Sequence, residues 1–524
     1  MPTRQSWGSR LGIILAVAGS AIGLGNYLRF PSQAAQNGGG AFLIPYFIAF
    51  LLLGLPLMWI EWTVGRYGGG FGRSTAPGIF HSLWNKNRFI KYFGVIGIFG
   101  PLVIFIYYVY IESWLLAYSF FALSGKLAAL ASQDELKHFL SAFQGLEKNA
   151  HFDSIGTAYF FFLITFLLNV SVVYYGIKGG IERLCKITMP LLAIFSFALL
   201  FRVLTLGAPN PAQPDWNIVN GLGWLWNPDF SALFDAKTWL AAAGQVFFTL
   251  SVGIGVILTY ASYLKKEDDV VLSGLSSASM NEFAEVIFGG TLVIPVAFAF
   301  FGPGEIGAIA SSGTFNLSFV TMPLIFTQMG VVFSFIWFFL LFIAGVTSSV
   351  SLVQPAIAFM EDEFEISRAK ASTAFGLVTF VLCQPAIFWL GKGAVDELDF
   401  WGGNFCLVLF GTVEIILFTW VFGIEKAWKE IHHGADLEIP RLYKWIIKYV
   451  SPACLIAILV SFVVQDLMKP DSMILMKSVT PENYPYVLGT RLMMLGIFLA
   501  IALGVKLTWR QRWLAAPAGE EKTS

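Results

Sequence analysis

The first apolar stretch of this chain breaks in its own middle. After Leu11 to Ala18 comes Gly19-Ser20-Ala21-Ile22-Gly23-Leu24-Gly25-Asn26, and only then does the apolar run resume. In hydrocarbon every backbone N–H and C=O must find a partner, so an unwound segment at membrane depth persists only where protein or a cavity satisfies it. The interruption therefore reads as a binding site. That a membrane is involved follows from composition: 56% apolar and 13% charged residues, with a mean hydropathy of +0.70, are too apolar for a soluble chain of 524 residues.

A hydrocarbon core of roughly 30 Å requires about twenty apolar residues per helix. Twelve runs qualify, at 10–36, 39–70, 90–124, 158–176, 183–205, 239–263, 270–300, 328–362, 368–390, 399–424, 443–466 and 483–508. The expected fold is thus an all-α membrane protein with a single transmembrane domain over 1–524. An even number of spans puts both termini on one side. With the termini assigned to the cytoplasm, 23 of the 33 Lys and Arg residues lie inside and 10 outside. The positive-inside bias therefore predicts cytoplasmic termini in an inner cell membrane. The zero net charge hides this asymmetry and gives no reason to expect a nucleic-acid partner.

A second interruption gives the expected architecture. Span 6 runs Phe247-Phe248-Thr249-Leu250-Ser251-Val252-Gly253-Ile254-Gly255 before its apolar run returns at Val256. Spans 1 and 6 open successive groups of five, and an odd-numbered repeat inserts its two copies in opposite orientations. A five-plus-five inverted repeat is expected, 10–205 and 239–424, followed by two further spans over 443–508. Matching breaks in the two halves point to a midplane site, where half-helix N-termini face an anion and freed carbonyls face a cation. Glycines in membrane helices also serve close packing, and Gly19 to Gly23 fits that pattern. Two breaks at matched positions favour the site.

The side chains near the breaks offer hard, neutral oxygens: Asn26, Thr249, Ser251, Asn281, and Thr347-Ser348-Ser349 in span 8. Hard cations prefer such ligands, whereas softer metals would bring Cys and His. The five histidines map to loops or their edges, and the four cysteines stand singly without a metal or disulfide spacing. Taken alone, each Ser or Thr could equally bond back to a carbonyl one turn earlier. No HExxH, G-x-S-x-G, Walker or G-x-G-x-x-G motif is present, so neither an enzyme nor an ATP-driven pump is expected.

Trp7-Gly8-Ser9-Arg10-Leu11-Gly12, Gly23-Leu24-Gly25-Asn26-Tyr27-Leu28-Arg29-Phe30-Pro31, Pro56-Leu57-Met58-Trp59-Ile60-Glu61-Trp62 and Asp399-Phe400-Trp401 occur in this order along the chain. With Ile106 to Trp114 they resemble the neurotransmitter:sodium symporters, and within that family the bacterial leucine-transporting branch. The resemblance implies two sodium sites. The first would use Ala21, Asn26, Thr249, Asn281 and the substrate's own carboxylate; the second Gly19, Ile22, Ala344, Thr347 and Ser348. A shared charge in a low-dielectric pocket would couple substrate to ion.

By the same matching, the substrate pocket would be lined by Ala21, Gly23, Gly25, Ile104, Tyr108, Phe248, Thr249, Ser251, Ile254, Ser348 and Leu352. Gly23 stands where monoamine-transporting members carry an Asp, which argues for an α-amino acid. The aliphatic wall suits a small or medium apolar side chain of the leucine, alanine or methionine class. Ser20, Ile22, Ile104, Ile254 and Leu352 depart from the leucine-transporting pattern, and the lost aromatic at Ile254 widens one wall. Arg29 with Asp399, above Tyr108 and Phe248, would form the outer gate. Arg4, Trp7, Tyr263 and Asp362 would form the inner one, with Arg4 paired to Asp362.

Two carboxylates, Glu61 and Glu285, fall at bundle depth, where a carboxyl loses its charge unless partnered. At Glu285 chloride-dependent relatives carry Ser and bind an anion, so the resemblance implies a chloride-substituting carboxylate and no chloride requirement; a protonated, merely hydrogen-bonded Glu285 is the plainer reading. The implied partners are an amino acid and the lipid bilayer, and a homodimer stays open, as do a channel and an amino-acid sensor on the same fold. Loops 125–157 and 206–238 are expected to cover the exterior and the interface, segment 303–327 to fold inward, and the tail after Trp513 to be disordered.

Overall fold

The structure, a computed structural model, describes residues 5–464 and 479–515, with side chains placed through residue 509. The described residues are helical with short turns, as a backbone surrounded by hydrocarbon requires. Among them, ten helices are individually long and apolar enough to cross a membrane: Gly40–Gly70, Ile90–Leu123, Gly156–Tyr174, Ile177–Leu204, Val271–Phe301, Val331–Phe364, Arg368–Phe388, Ala394–Val421, Leu442–Phe462 and Tyr484–Trp509.

The first expected span is a bent pair. Helix α1 (Arg10–Ala21) ends at Ile22, and a π-helical turn at Gly25–Arg29 leads into α2 (Phe30–Gln36), the axis turning by 47°. Counted as one span it makes eleven. Of the other helices that frame the centre, α3 is Leu55–Gly70, α4 Ile96–Leu123 and α5 Glu182–Leu204. The sixth expected span is divided into α6 (Ala236–Thr249) and α7 (Val256–Ala261), of 14 and 6 residues, neither long enough to cross alone. Among the described residues, ten of the twelve expected spans are single crossing helices and an eleventh is the bent first pair. The segment that fails the length criterion fails because of its own break. Beyond it lie α8 (Val271–Phe283), α9 (Val331–Phe364) and α10 (Cys406–Ile416).

Helix α1 packs on α5, α8 and α9, and α9 lies along α4, so both breaks face the bundle interior. Helix α7 rides directly on α3. A Cβ on Gly65 would stand 2.3 Å from the Leu258 carbonyl oxygen, and one on Gly69 2.1 Å from that of Ser262. Only glycine permits this backbone-to-backbone approach.

The expected covering loops carry their own structure. Segment 125–157 contains the helix Gln133–Phe143, and 206–238 contains Ile218–Trp226, whose neighbour Pro228 bridges to Gly39. Segment 303–327 includes the helix Pro303–Ser311, packed on α2, and Gln36 donates to the Ala310 carbonyl at 2.8 Å. The four cysteines are free thiols. Most of the tail after Trp513 lies outside the described residues.

Candidate functional site

A helix leaves its last carbonyls unpaired, and α1 ends inside the bundle. Side chains from two other segments supply the missing partners. Ser348 Oγ on α9 donates toward Ser20 O at 3.1 Å and lies 3.4 Å from Gly19 O, while Ser251 Oγ reaches Ser20 O at 3.1 Å. Ser348 also bonds Ala344 O at 3.1 Å, and Thr347 Oγ1 bonds Ile343 and Ala344 carbonyls at 3.2 and 3.0 Å. Gly19, Ala344, Thr347 and Ser348 thus meet in one buried cluster of neutral oxygens, beside the break that begins at Ile22.

A second cluster forms around Asn26. Its Nδ2 donates to Asn281 Oδ1 at 2.8 Å and to Thr249 Oγ1 at 3.1 Å, and Asn281 Nδ2 donates to the same Thr249 oxygen at 3.1 Å. Asn26 Oδ1 in turn accepts the Gly23 N–H at 2.8 Å, which pins the unwound strand to the polar centre. All three side chains are almost wholly buried. Both clusters are chemically matched to a hard monovalent cation: neutral oxygens, no thiolate, no imidazole.

The break between α6 and α7 is held by unusual backbone. Gly253 and Gly255 take φ of 76° and 87°, and Ser251, a residue with a side chain, takes 54°. Such a conformation is uncommon outside glycine and persists where surroundings over-determine it. Here the hydroxyl bond to Ser20 does so, with the Gly253 N–H donating to Glu61 Oε1 of α3.

Between the breaks lies a cavity of about 100 Å³. Ala21, Gly23, Gly25, Ile104, Tyr108, Phe248, Thr249, Ser251, Ile254, Ser348 and Leu352 all line it, so the structure brings together the whole set expected from sequence. Leu24, Tyr107, Gly403 and Leu407 line it as well; Leu24 lies in the first break and Tyr107 in the Ile106–Trp114 segment, whereas Gly403 and Leu407 sit in a glycine-containing apolar run that carries no sequence signal. Its floor is polar and its wall aliphatic. A Cβ at Gly23 would stand 3.1 Å from Ser348 Oγ and 3.5 Å from the Tyr108 hydroxyl, so a larger residue would fill the polar floor.

The two ends of the cavity differ. At one end Arg29, expected to face Asp399, makes no ion pair with it: among the described residues no Arg29–Asp399 salt bridge lies within 4.0 Å. The guanidinium lies instead over the Phe248 ring, 4.5 Å from its centroid. Asp399 accepts from the Tyr107 hydroxyl at 2.6 Å and Asn404 Nδ2 at 3.1 Å. These local donors satisfy the carboxylate without Arg29. Phe248 keeps 38% of its surface exposed, and above it opens a second cavity of about 220 Å³ that includes Arg29, Phe247 and Phe462.

At the other end Trp7 Nε1 donates to Tyr260 O at 2.9 Å, and its ring meets Tyr260 edge-on at 5.2 Å. Tyr263 is buried and accepts from Gln354 Nε2 at 2.9 Å, while Gln354 Oε1 accepts from Arg368 at 2.7 Å. Arg368 also pairs with Glu361 at 3.0 Å. The sequence singles out neither Gln354 nor Arg368. Asp362 accepts the Ser74 N–H at 2.8 Å, and Arg4, its expected partner, lies outside the described residues. Nearby, Asp269 pairs with Arg10 at 2.9 Å. Burial alone would raise its carboxyl, but the N–H groups of Asp436, Leu272 and Val271, with Arg10, hold it below the ordinary value.

Glu285 is fully buried on the turn after α8, accepting from the Tyr46 hydroxyl at 2.6 Å and from Gln245 Nε2. Gln245 lies one turn before Thr249 on α6, a spacing that could have flagged it; nothing in the sequence marks Tyr46. Nor does the sequence single out the buried Glu282 and Glu414.

The chain matches the profile of the Sodium:neurotransmitter symporter family over residues 4–138 and 129–511. It is 32% identical over 464 residues to an uncharacterized sodium-dependent transporter of Methanocaldococcus jannaschii, covering 87% of this chain and 89% of that one. It is 24% identical to the sodium-dependent nutrient amino acid transporter 1 of Drosophila virilis, covering 88% of this chain and 77% of that one. Among solved structures it resembles MhsT in complex with L-phenylalanine, with TM-score 0.73 and 31% identity, over 87% of this chain and 99% of that chain.

Proposed function

The chain belongs to the sodium:neurotransmitter symporter family, and from that premise we propose that it is a sodium-coupled symporter of small to medium apolar α-amino acids. It is a multi-pass membrane transporter and not an enzyme. One observation carries the finer reading: two interrupted helices meet across a cavity that is polar at its floor, aliphatic on its wall, and flanked by two neutral-oxygen clusters. Neutral ligands alone leave a bound cation's charge uncompensated in a low-dielectric interior. A substrate carboxylate placed between Gly23 and the Asn26 cluster supplies that charge, and each ligand then strengthens the other.

In this reading Ala21, Asn26, Thr249 and Asn281 hold the first sodium with the carboxylate; Gly19, Ile22, Ala344, Thr347 and Ser348 hold the second. Tyr108 and Ser251 orient the amino acid, and Ile104, Phe248, Ile254 and Leu352 take its side chain. A membrane potential adds roughly 2.3 kcal/mol per translocated charge per 100 mV. The two halves, 10–205 and 239–424, act as an inverted repeat about the cavity, giving alternating access. Arg29, Phe248 and Asp399 close the outer end, and Trp7, Tyr263, Asp362 and Arg4 the inner. Glu285 stands in for chloride, and both termini are cytoplasmic in an inner membrane.

Reconstitution into liposomes tests this. Labelled leucine, alanine or methionine is expected to accumulate under an imposed inward sodium gradient, saturably and unchanged when gluconate replaces chloride. Phenylalanine belongs in the competition panel because the similar structure, MhsT, holds it. Binding without flux, or large unitary currents, overturns the symport reading; strict chloride dependence overturns the role of Glu285.

A further inference from the structure

The second neutral-oxygen cluster, formed by Ala344, Thr347 and Ser348 against the end of α1, depends on how α9 is turned about its own axis. Ser349 follows directly in the chain, about 100° around the helix from Ser348 and about 200° from Thr347. Its hydroxyl bonds elsewhere. Ser349 Oγ donates to Asn169 Oδ1 of the helix Gly156–Tyr174 at 2.6 Å, closer than the 3.1 Å to Val346 O within α9. Asn169 Nδ2 donates in turn to Glu112 Oε1 of α4 at 3.1 Å and to Thr165 O at 3.0 Å. Glu112, Asn169 and Ser349 are all fully buried. The Glu112 side chain also lies against α9: a Cβ on Gly345, the residue after Ala344, would stand 3.0 Å from Glu112 Cγ.

Hydrogen-bonding capacity sets the direction of this chain of contacts. Both Nδ2 hydrogens of Asn169 are met by a carboxyl oxygen and a carbonyl, so Oδ1 is left for Ser349, and an acceptor there draws the hydroxyl proton outward from α9. Without Glu112 Oε1 a buried N–H goes unmet and the amide is free to turn. Ser349 then falls back on the Val346 carbonyl of its own helix, the usual recourse of Ser and Thr in helices. We propose that Glu112 and Asn169 are positioning residues for the second cation site: through Ser349 they fix the rotation of α9 that aims the Thr347 and Ser348 oxygens at the break. This rests on the sodium reading above and deepens it, since neither Glu112 nor Asn169 lines the cavity.

Sodium titration of the purified full-length protein without amino acid tests it, with potassium holding the ionic strength constant and tryptophan fluorescence as the readout. In the proposed function the first site needs the substrate carboxylate, so the substrate-free response reports the second. Ser349→Ala, which deletes one oxygen, and Glu112→Met, which removes the acceptor at similar volume, are each expected to raise the half-saturating sodium concentration about fivefold, the size expected for one hydrogen bond. Glu112→Gln keeps an acceptor oxygen for Asn169 and stays within about twofold of the parent. The double variant, Glu112→Met with Ser349→Ala, is expected to be no weaker than either alone, because both cut the same chain of contacts. A merely structural role lowers the thermal midpoint in potassium and leaves half-saturation unchanged; that result, or additive effects in the double variant, overturns the proposal. So does a Glu112→Gln variant as weak as Glu112→Met. Should Glu112→Met fail to fold, Ser349→Ala and Asn169→Leu carry the same expectation, and unchanged half-saturation in either overturns it. A parent with no saturable sodium response overturns the sodium reading, and this proposal with it, so the two failures are separately visible.

Discussion

The two ends of the cavity are built from similar residues and are held very differently. At the Trp7 end an indole N–H, a T-shaped ring pair and an Arg10–Asp269 ion pair tie the beginning of the chain to segments far away in sequence, and a Tyr–Gln–Arg chain joins Tyr263, Gln354 and Arg368 nearby. At the Arg29 end the basic residue and Asp399 are near one another, yet each is engaged locally, and Phe248 stays partly exposed. The difference teaches that one end is held in this conformation by directional bonds between distant segments, whereas at the other Arg29 rests on the Phe248 ring and Asp399 on its local donors. A cation over an aromatic ring is worth about 0.5–2 kcal/mol, small enough for a bound ligand to exchange it for an ion pair.

Trp7→Ala is the strongest way to break this contrast. It removes a hydrogen bond and a ring packing together, a loss on the order of 3 kcal/mol. Amide hydrogen exchange over residues 5–12 is expected to speed up about 100-fold, while that over 25–30 hardly changes. Equal acceleration at both ends would show that they are not independent.

Gln354→Ala severs the bridge between Tyr263 and Arg368 and leaves buried donors unmet, at a cost of about 2 kcal/mol. A lowered thermal midpoint in detergent checks it; no change means that water or a neighbour replaces the amide. Asp399→Asn acts on the other end. With no ion pair to lose, stability is expected to fall by less than about 1 kcal/mol, while sodium-driven uptake drops far more than equilibrium binding. A large loss of stability would place the closed outer pair in the resting state.

The smallest effect is at Asp269. Its carboxyl is held below the ordinary value, so it adds stability above the unfolded value of about 3.9 and loses it as pH falls through the lower folded value. The thermal midpoints of the parent and Asp269→Asn are therefore expected to differ at neutral pH, keep that difference to about pH 5, and converge below about pH 4.

The amino-acid sequence makes the breaks legible because several glycines and an Asn packed into an apolar run leave the helix little reason to continue there, and because two such runs fall at matched positions. The residues flanking them converge on one cavity for the same reason: they share the segments that unwind. Other features leave no such trace. Gly403 and Leu407 lie in a glycine-containing apolar stretch where the lipid-facing and bundle-facing sides look alike. Gln354 and Arg368 belong to two successive helices, and their contact with Tyr263 depends on tertiary packing. The sequence places Arg29 opposite Asp399 but does not say whether the two are paired, since it carries one set of residues for every conformation they adopt. The break expected in the sixth span is where Ser251, Gly253 and Gly255 take left-handed backbone, and neither of its fragments is long enough to be counted as a crossing helix alone.

The glycine seam between α3 and α7 has a mechanical consequence. With Gly65 and Gly69 pressed against the carbonyls of Leu258 and Ser262, no side chain lies between the two rods to act as a bearing. The six-residue fragment cannot swivel alone; it must travel welded to its longer neighbour, and flexure is concentrated in the few peptide links from Leu250 to Gly255. A bulky residue at either glycine would pry the weld apart and leave the fragment without its splint.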